Sequence, residues 1–342
     1  MRIVVTGATG FIGGRLTARL LAEGHTVTAL VRRAEAKAPA GVECLAGALD
    51  DMEFLRQALA GAAAVVHVAG QTKAFTARGF FHVNEELTAA LAEGVRRFAP
   101  VGAPFLHVSS QAAVGPSNEP PGLIEDDQPA PVSRYGLSKL LGERAVQTLT
   151  PQRPVAVARP AMVYGPGDMA FVPLYRCMAR GVLLTSGPVG QRFSIVHVDD
   201  LVDGLVLALD ALRGGWGGDV LHFAGPESFS WEEYAAAFGQ ALERRVRVLR
   251  VPGWALLAAA LGNTLCAALG LPTSHLTLDK RREALAPGWL LSCAHTREAL
   301  GWTPRRGLAL GARESVAWCR EKGLLPGCLN RHQPIIPGQN HD

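Results

Sequence analysis

Three glycines, at positions 7, 10 and 13, follow directly on the β-branched run Ile3, Val4, Val5 and Thr6 in the opening stretch RIVVTGATGFIGG. The run favours pleated, buried backbone, and from Phe11 to Glu23 apolar residues recur at 12, 16, 20 and 21, a helical spacing. The glycines therefore fall at a strand-to-helix turn. Glycine there permits positive φ, lets backbone approach a ligand without a Cβ in the way, and lets the helix pack close to the strand. The helix N-terminus beyond it presents unpaired N–H groups and a partial positive charge, which suits a pyrophosphate. The spacing is G-x-x-G-x-x-G rather than G-x-G-x-x-G, and it is the strand before and the helix after that give it meaning. Gly7, Thr9, Gly10, Phe11, Ile12 and Gly13 are accordingly the candidate dinucleotide-binding residues.

Strand and helix signals continue to alternate. Strands are predicted at 25–31, 42–47, 63–70, 104–110 and 154–165, with helices at 50–61, 80–99 and 133–149. Continuous apolar strands separated by amphipathic helices mean βαβ units, hence an α/β chain with a doubly wound parallel sheet, the Rossmann fold. Beyond Pro166 the alternation breaks down in a stretch rich in Pro and Gly. A strand-helix unit returns at 193–209 and a strand at 220–225. The organisation expected is a dinucleotide-binding domain over 1–165, with 193–225 returning to it. A smaller, interrupted substrate lobe takes 166–192 and 226–326, and 327–342 forms a loose tail.

With 342 residues, 48% hydrophobic and 19% charged, the chain can bury a large core, and a net charge of +4 makes no case for nucleic acid. Cysteines 44, 177, 266, 293, 319 and 328 have no metal spacing and are expected to be free buried thiols, and no metal site is expected. Together with a first strand at residue 2, this points to a cytoplasmic address. The almost uncharged segment Trp254–Pro272 reads as a buried or groove-lining helix pair in preference to a membrane anchor, with Asn263 and Thr264 in its middle.

Two residues could carry proton chemistry. Tyr135 and Lys139 stand four apart on the helix of 133–149, so they share a face. An ammonium beside a phenol favours the phenolate and makes Tyr135 a candidate proton carrier. Ser109 and Ser110 close the preceding strand, at the end of the sheet where ligands bind, and Ser110 could bond the reacting oxygen, whereas Ser109 reads as a turn or cap residue. After the second strand stand Arg32 and Arg33, where an acidic residue would select a bare ribose. A guanidinium matches a 2′-phosphate, so NADP is favoured over NAD.

TGATGFIG, HVAG, VSSQAAVG, YGLSK, ARPAMVYGPG and VHVDDL occur in an order and spacing that resemble the extended branch of the short-chain dehydrogenase/reductase family, over about residues 1–325. The resemblance implies Tyr135 as general acid/base, Lys139 holding the nicotinamide ribose and lowering the affinity of Tyr135 for its proton, and Ser110 orienting the substrate oxygen. It adds Ala69 and Gly70 after the fourth strand and Asn84 on the dinucleotide side of the sheet, with Pro160, Val163 and Tyr164 bordering the nicotinamide. A homodimer is also implied. Two positions depart from the pattern. Ala48 stands where an aspartate near the adenine is usual, with Asp50 and Asp51 slightly late. Phe193 stands where nucleotide-sugar members often carry a phosphate-gripping arginine, and Arg192, one residue away along a strand, faces the other side. In the family His197, Asp199 and Asp200 are mainly structural, and adjacent aspartates at a strand end point apart. The reading favoured is an oxidoreductase interconverting a secondary alcohol and a ketone on a small apolar molecule. The alternatives are a nucleotide-sugar epimerase or dehydratase with tightly bound cofactor, and a non-catalytic dinucleotide sensor, whose relatives typically lose the Tyr or the Lys.

Overall fold

A computed structural model describes residues 1–36, 38–74, 76–268 and 277–326. The expected loose tail, Cys328 and the end of the apolar segment beyond Ala268 lie outside the described residues. In chain order the strands are β1 (Arg2–Thr6), β2 (Thr26–Val31), β3 (Glu43–Ala46), β4 (Ala64–His67), β5 (Phe105–Val108), β6 (Val155–Pro160), β7 (Met162–Tyr164), β8 (Val182–Thr185), β9 (Phe193–His197), β10 (Val220–Phe223), β11 (Ser228–Phe229) and β12 (Arg247–Arg250). The helices are α1 (Phe11–Ala22), α2 (Met52–Leu59), α3 (Ala77–Phe81), α4 (Leu87–Phe98), α5 (Arg134–Gln147), α6 (Val172–Ala179), α7 (Val198–Arg213), α8 (Trp231–Ala241), α9 (Gly253–Ala268), α10 (Leu278–Ala284), α11 (Ala294–Leu300) and α12 (Leu308–Glu321).

Seven strands form one sheet in the order β10-β6-β5-β4-β1-β2-β3, parallel throughout. Ile3, Val4 and Val5 of β1 and Val65 and Val66 of β4 are fully buried because helices cover both faces, α1 and α7 on one and α2, α4 and α5 on the other. Strand order reverses between β1 and β4. A crevice at such a switch point, outside the carboxyl ends of the strands, is where open α/β sheets bind ligands. Thr6 holds the two strands in register there, its hydroxyl bonded to His67 Nδ1 at 2.6 Å and accepting from the Ala69 N–H at 3.2 Å.

Several elements differ from expectation. The strand predicted over 154–165 is two strands. β6 ends at Pro160 in the main sheet, and β7 leaves it to pair with β9, which pairs in turn with the short antiparallel β11. Strand propensity extends across Pro160, but the partner available to the backbone changes. The helix predicted over 80–99 starts earlier, at Ala77, and carries a π-turn over His82–Glu86. Asn263 and Thr264 do not break α9, since the Thr264 hydroxyl bonds back to the Ala260 carbonyl at 2.8 Å. No helix among the described residues is long and apolar enough to cross a membrane. Among the described residues no cysteine forms a disulfide; Cys293 and Cys319 are buried, but Cys177 and Cys266 are half-buried and Cys44, on the sheet-edge strand β3, is exposed.

Candidate active site

The glycine turn is built by close approach. Gly7 has φ +72°, and a Cβ there would lie 2.6 Å from the Ala69 nitrogen; a Cβ on Gly13 would lie 2.1 Å from the Gly7 carbonyl oxygen. Both contacts are with backbone, so α1 docks at this depth only with glycine at both positions. Gly10 is the N-cap of α1 and has no capping side chain, and the first turn carries no acidic residue. The N–H groups of that turn are thus left for an anion, with Thr9 and Gly10 exposed and Phe11 and Ile12 half-buried. Arg32 and Arg33 are exposed beyond β2, and neither side chain has a hydrogen bond or ion pair among the described residues. Asp51 is spent as the N-cap of α2, accepting from the Glu53 and Phe54 N–H groups, which leaves exposed Asp50 as the acidic residue nearest the usual adenine position.

Asn84 is fully buried in the π-turn. Its Oδ1 accepts from the Gln71 N–H at 2.7 Å, and its Nδ2 donates to the Gln71 carbonyl and to the Ser138 hydroxyl, both at 3.0 Å. It clamps the loop after β4 to α5 and so works as a positioning residue. Gly70 sits in that loop, where a Cβ would come 3.4 Å from Asn84 Oδ1 and 3.7 Å from Lys139 Nζ. Ser109 is more than a turn residue, since its hydroxyl donates to Glu143, which is ion-paired with Arg159 at 2.7 Å, all three buried.

Ser110, Tyr135 and Lys139 converge at the carboxyl end of β5. Ser110 is half-buried, its hydroxyl accepting from the Ala112 N–H at 3.2 Å and lying beside Tyr135, where it favours the phenolate. The phenol is buried against Phe80, ring centroids 5.9 Å apart. Burial raises the affinity of Tyr135 for its proton above the ordinary phenol, while Lys280 and Ser110 pull the other way. Lys139 does not act on the phenol as expected. Its ammonium donates to the Val108 carbonyl at 2.9 Å, and burial pushes it down to about 8. It faces the β4–β5 side of the crevice, where the strand end offers an acceptor, and the cation over the Tyr135 ring is Lys280 of α10, 4.7 Å from the centroid.

Pro160 is buried at the end of β6 and Val163 half-buried in β7. Tyr164 does not border the crevice. It lies in the core of the smaller lobe, edge-on to His197 and so close to α12 that a Cβ on Gly311 would meet its hydroxyl at 2.3 Å. Phe193 packs against Trp231, and Arg192 turns the other way to bond Ser228 and Glu233. His197 is the N-cap of α7, and the two aspartates sit on that helix's first turn, not at a strand end. Asp199 pairs with Arg15, and Asp200 faces the N–H groups of Arg305 and Arg306. Sequence reasoning missed Lys280. Its segment LTLDKRREALA carries no motif, and only its packing brings it to Tyr135.

A family model described as the NAD-dependent epimerase/dehydratase family matches residues 3–223. The chain belongs to that family. This family member is similar to a ceramide reductase of Caulobacter vibrioides, 31% identical over 95% of this chain and 96% of that protein. It is also similar to the 4-hydroxy-2-methyl-3-oxo-4-farnesyl-3,4-dihydroquinoline-1-oxide ketoreductase of Stigmatella aurantiaca, 29% identical over 79% of this chain and 82% of that one. Among solved structures, a UDP-glucuronic acid 4-epimerase of Bacillus cereus in complex with UDP-glucuronic acid and NAD shares the fold, with a TM-score of 0.75 at 20% identity over 94% of this chain and all of that one.

Proposed function

We propose that this family member is an NADP-dependent oxidoreductase interconverting a ketone and a secondary alcohol on a small apolar molecule. The observation that carries the reading is the buried phenol of Tyr135, packed against Phe80 and beside Ser110, at the same carboxyl edge of the sheet as the uncapped glycine turn. The close-approach glycines, the uncapped first turn of α1 and the two exposed arginines after β2 fit a dinucleotide bearing a 2′-phosphate. When bound, that group supplies a hydride at nicotinamide C4. In the reducing direction Tyr135 gives its proton to the carbonyl oxygen while Ser110 holds the same oxygen by a hydrogen bond. In this reading Lys139, beside Gly70, holds the ribose.

An apolar substrate is supported by the surroundings of the phenol. Phe80, Ala112 and Ala74 pack around it, and a cavity of about 120 Å³ between the loop after β4 and helices α9 and α10 shares Phe80 and Ala74 with them, its remaining wall being Leu278 and the polar Thr76, Arg134, Thr264, Thr277, Asp279 and Arg282. Leu278 extends from it to the surface, and α9 exposes Trp254 at 74% together with Leu257 and Leu261. A larger depression, about 920 Å³, lies among β11, α8 and α12 and contains none of the residues of this site. The two reductases named above act on molecules with long apolar chains, and Arg192, one residue from the position where nucleotide-sugar members carry a phosphate-gripping arginine, is bonded to Ser228 and Glu233 instead.

Assaying purified protein with NADPH against a panel of long-chain ketones should consume reduced cofactor, and Tyr135→Phe should lower turnover by roughly 10²- to 10⁴-fold with dinucleotide binding intact. Protein that purifies with bound cofactor and interconverts nucleotide sugars without net oxidation would establish the epimerase alternative. Dinucleotide binding with no turnover and no effect of Tyr135→Phe would establish the sensor.

A further inference from the structure

Helix α10 is the part of the smaller lobe that reaches Tyr135, and it does so with three charged side chains. Asp279 accepts from the backbone N–H groups of Arg134 at 2.7 Å and Tyr135 at 3.1 Å, so a carboxylate from a distant segment closes the N-terminus of α5. Glu283, one turn later, accepts from the Ser133 hydroxyl at 2.6 Å, and Ser133 is the N-cap of α5, bonded to the Gly136 N–H at 2.9 Å. Lys280 lies between them in sequence. Its ammonium pairs with Glu283 at 2.6 Å and sits 4.7 Å from the centre of the Tyr135 ring. Three side chains thus fasten one helix to the residues that begin the other.

We propose that Lys280 is a positioning residue for Tyr135: held over the ring by Glu283, its ammonium stabilises the phenolate left when Tyr135 gives up its proton, so that proton transfer requires α10 to be seated on α5. The proposal rests on the reading of Tyr135 as proton carrier. A cation beside an aromatic face is attracted to the neutral ring and far more strongly to the anion, and the effect grows where water is excluded. The groups facing the phenol are few. Phe80 and Ala112 pack on it as apolar walls, Ser110 lies beside it, Lys280 and Glu283 approach from α10, and Asp279 is occupied with backbone N–H groups. On its own helix Lys139 is turned to the Val108 carbonyl. Lys280 stays charged in this setting, because Glu283, Tyr135 and Asp279 together outweigh the burial that would strip its proton.

The phenol can be read without substrate or cofactor. Of the four tyrosines in the sequence, Tyr164, Tyr175 and Tyr234 are driven higher than Tyr135 by burial among other phenols and carboxylates, so the ultraviolet difference titration between wild type and Tyr135→Phe isolates Tyr135. In Lys280→Met the midpoint should rise by about one pH unit or more, a tenfold loss of acidity. Lys280→Arg should stay close to wild type, and Lys139→Met should leave the cofactor-free midpoint in place. Circular dichroism melts establish that each variant is folded, and Lys280→Gln serves if the Met variant is not. An unmoved midpoint in a folded Lys280 variant, or an equal rise in Lys139→Met, would overturn the proposal. A shifted midpoint with turnover indifferent to Tyr135→Phe would sink the proton-carrier reading, and the proposal's link to proton transfer with it, leaving only the electrostatic contact. Turnover that needs Tyr135 with no shift would sink the role of Lys280 alone.

Discussion

Lys139 is an ammonium that is 3% exposed, with one carbonyl and the more distant Glu143 to compensate its lost hydration. Burial pushes it down to about 8 from an ordinary 10.5, so the unfolded chain holds this proton more tightly than the folded one. The cost to the fold is complete below about pH 8 and disappears as the pH rises past 10.5. Lys139→Met should therefore melt higher than wild type at neutral pH, with the gap closing between those two values; a variant melting lower throughout would contradict this. Such a sacrifice of stability is ordinary where a charge is kept for function. Arg32 differs, being exposed and without a side-chain partner among the described residues. Arg32→Ala should cost roughly 10- to 100-fold in NADPH affinity, the size of one charge-assisted hydrogen bond, and little in NADH affinity, as followed by fluorescence titration. Equal loss of both would remove the case for the phosphorylated cofactor. The places of Arg32, Tyr135 and Ser110 were legible in the sequence because Tyr135 lies on α5 and the other two follow directly on β2 and β5. The target of Lys139 was not, because i,i+4 spacing fixes the face a side chain leaves from and not the acceptor it finds.

At the scale of elements, the turn from β1 into α1 is the most tightly specified unit. The Cβ of an alanine at 13 would meet backbone at 2.1 Å on the Gly7 oxygen, and neither the strand nor the docked helix can give way. Gly13→Ala should destabilise by about 1–3 kcal/mol, the usual range for overpacking, and should weaken dinucleotide binding. Gly262, also helical but exposed with nothing within 4 Å, is the control, and alanine there should stabilise by about 0.5–1 kcal/mol. Urea unfolding measures both, and equal effects at the two sites would refute the close-approach account. This unit could be read from sequence because its strand, turn and helix signals are contiguous. The departure of β7 from the main sheet could not be, since Met162, Val163 and Tyr164 have strand character in either sheet and pairing is decided by which edge is near.

Across the whole molecule, the seven-stranded parallel sheet and the position of its crevice follow from the alternation of buried strands with amphipathic helices, a pattern in which every repeat is local. The smaller lobe yielded far less. Its elements are short and interrupted by Pro and Gly, and its core is assembled from α6, β9, α8 and α12, segments far apart in the chain. The sequence by itself determined the sheet, the glycine turn and the helix bearing Tyr135 and Lys139, because propensity, periodicity and close-approach glycines act over a few residues. Only the tertiary structure decided that Lys139 turns to Val108, that Tyr164 belongs to the second core, and that Asp279, Lys280 and Glu283 close on the start of α5. The Lys139 bond spans 31 positions, but the α10 contacts join residues about 145 positions apart, and their geometry is set by how one lobe packs against the other.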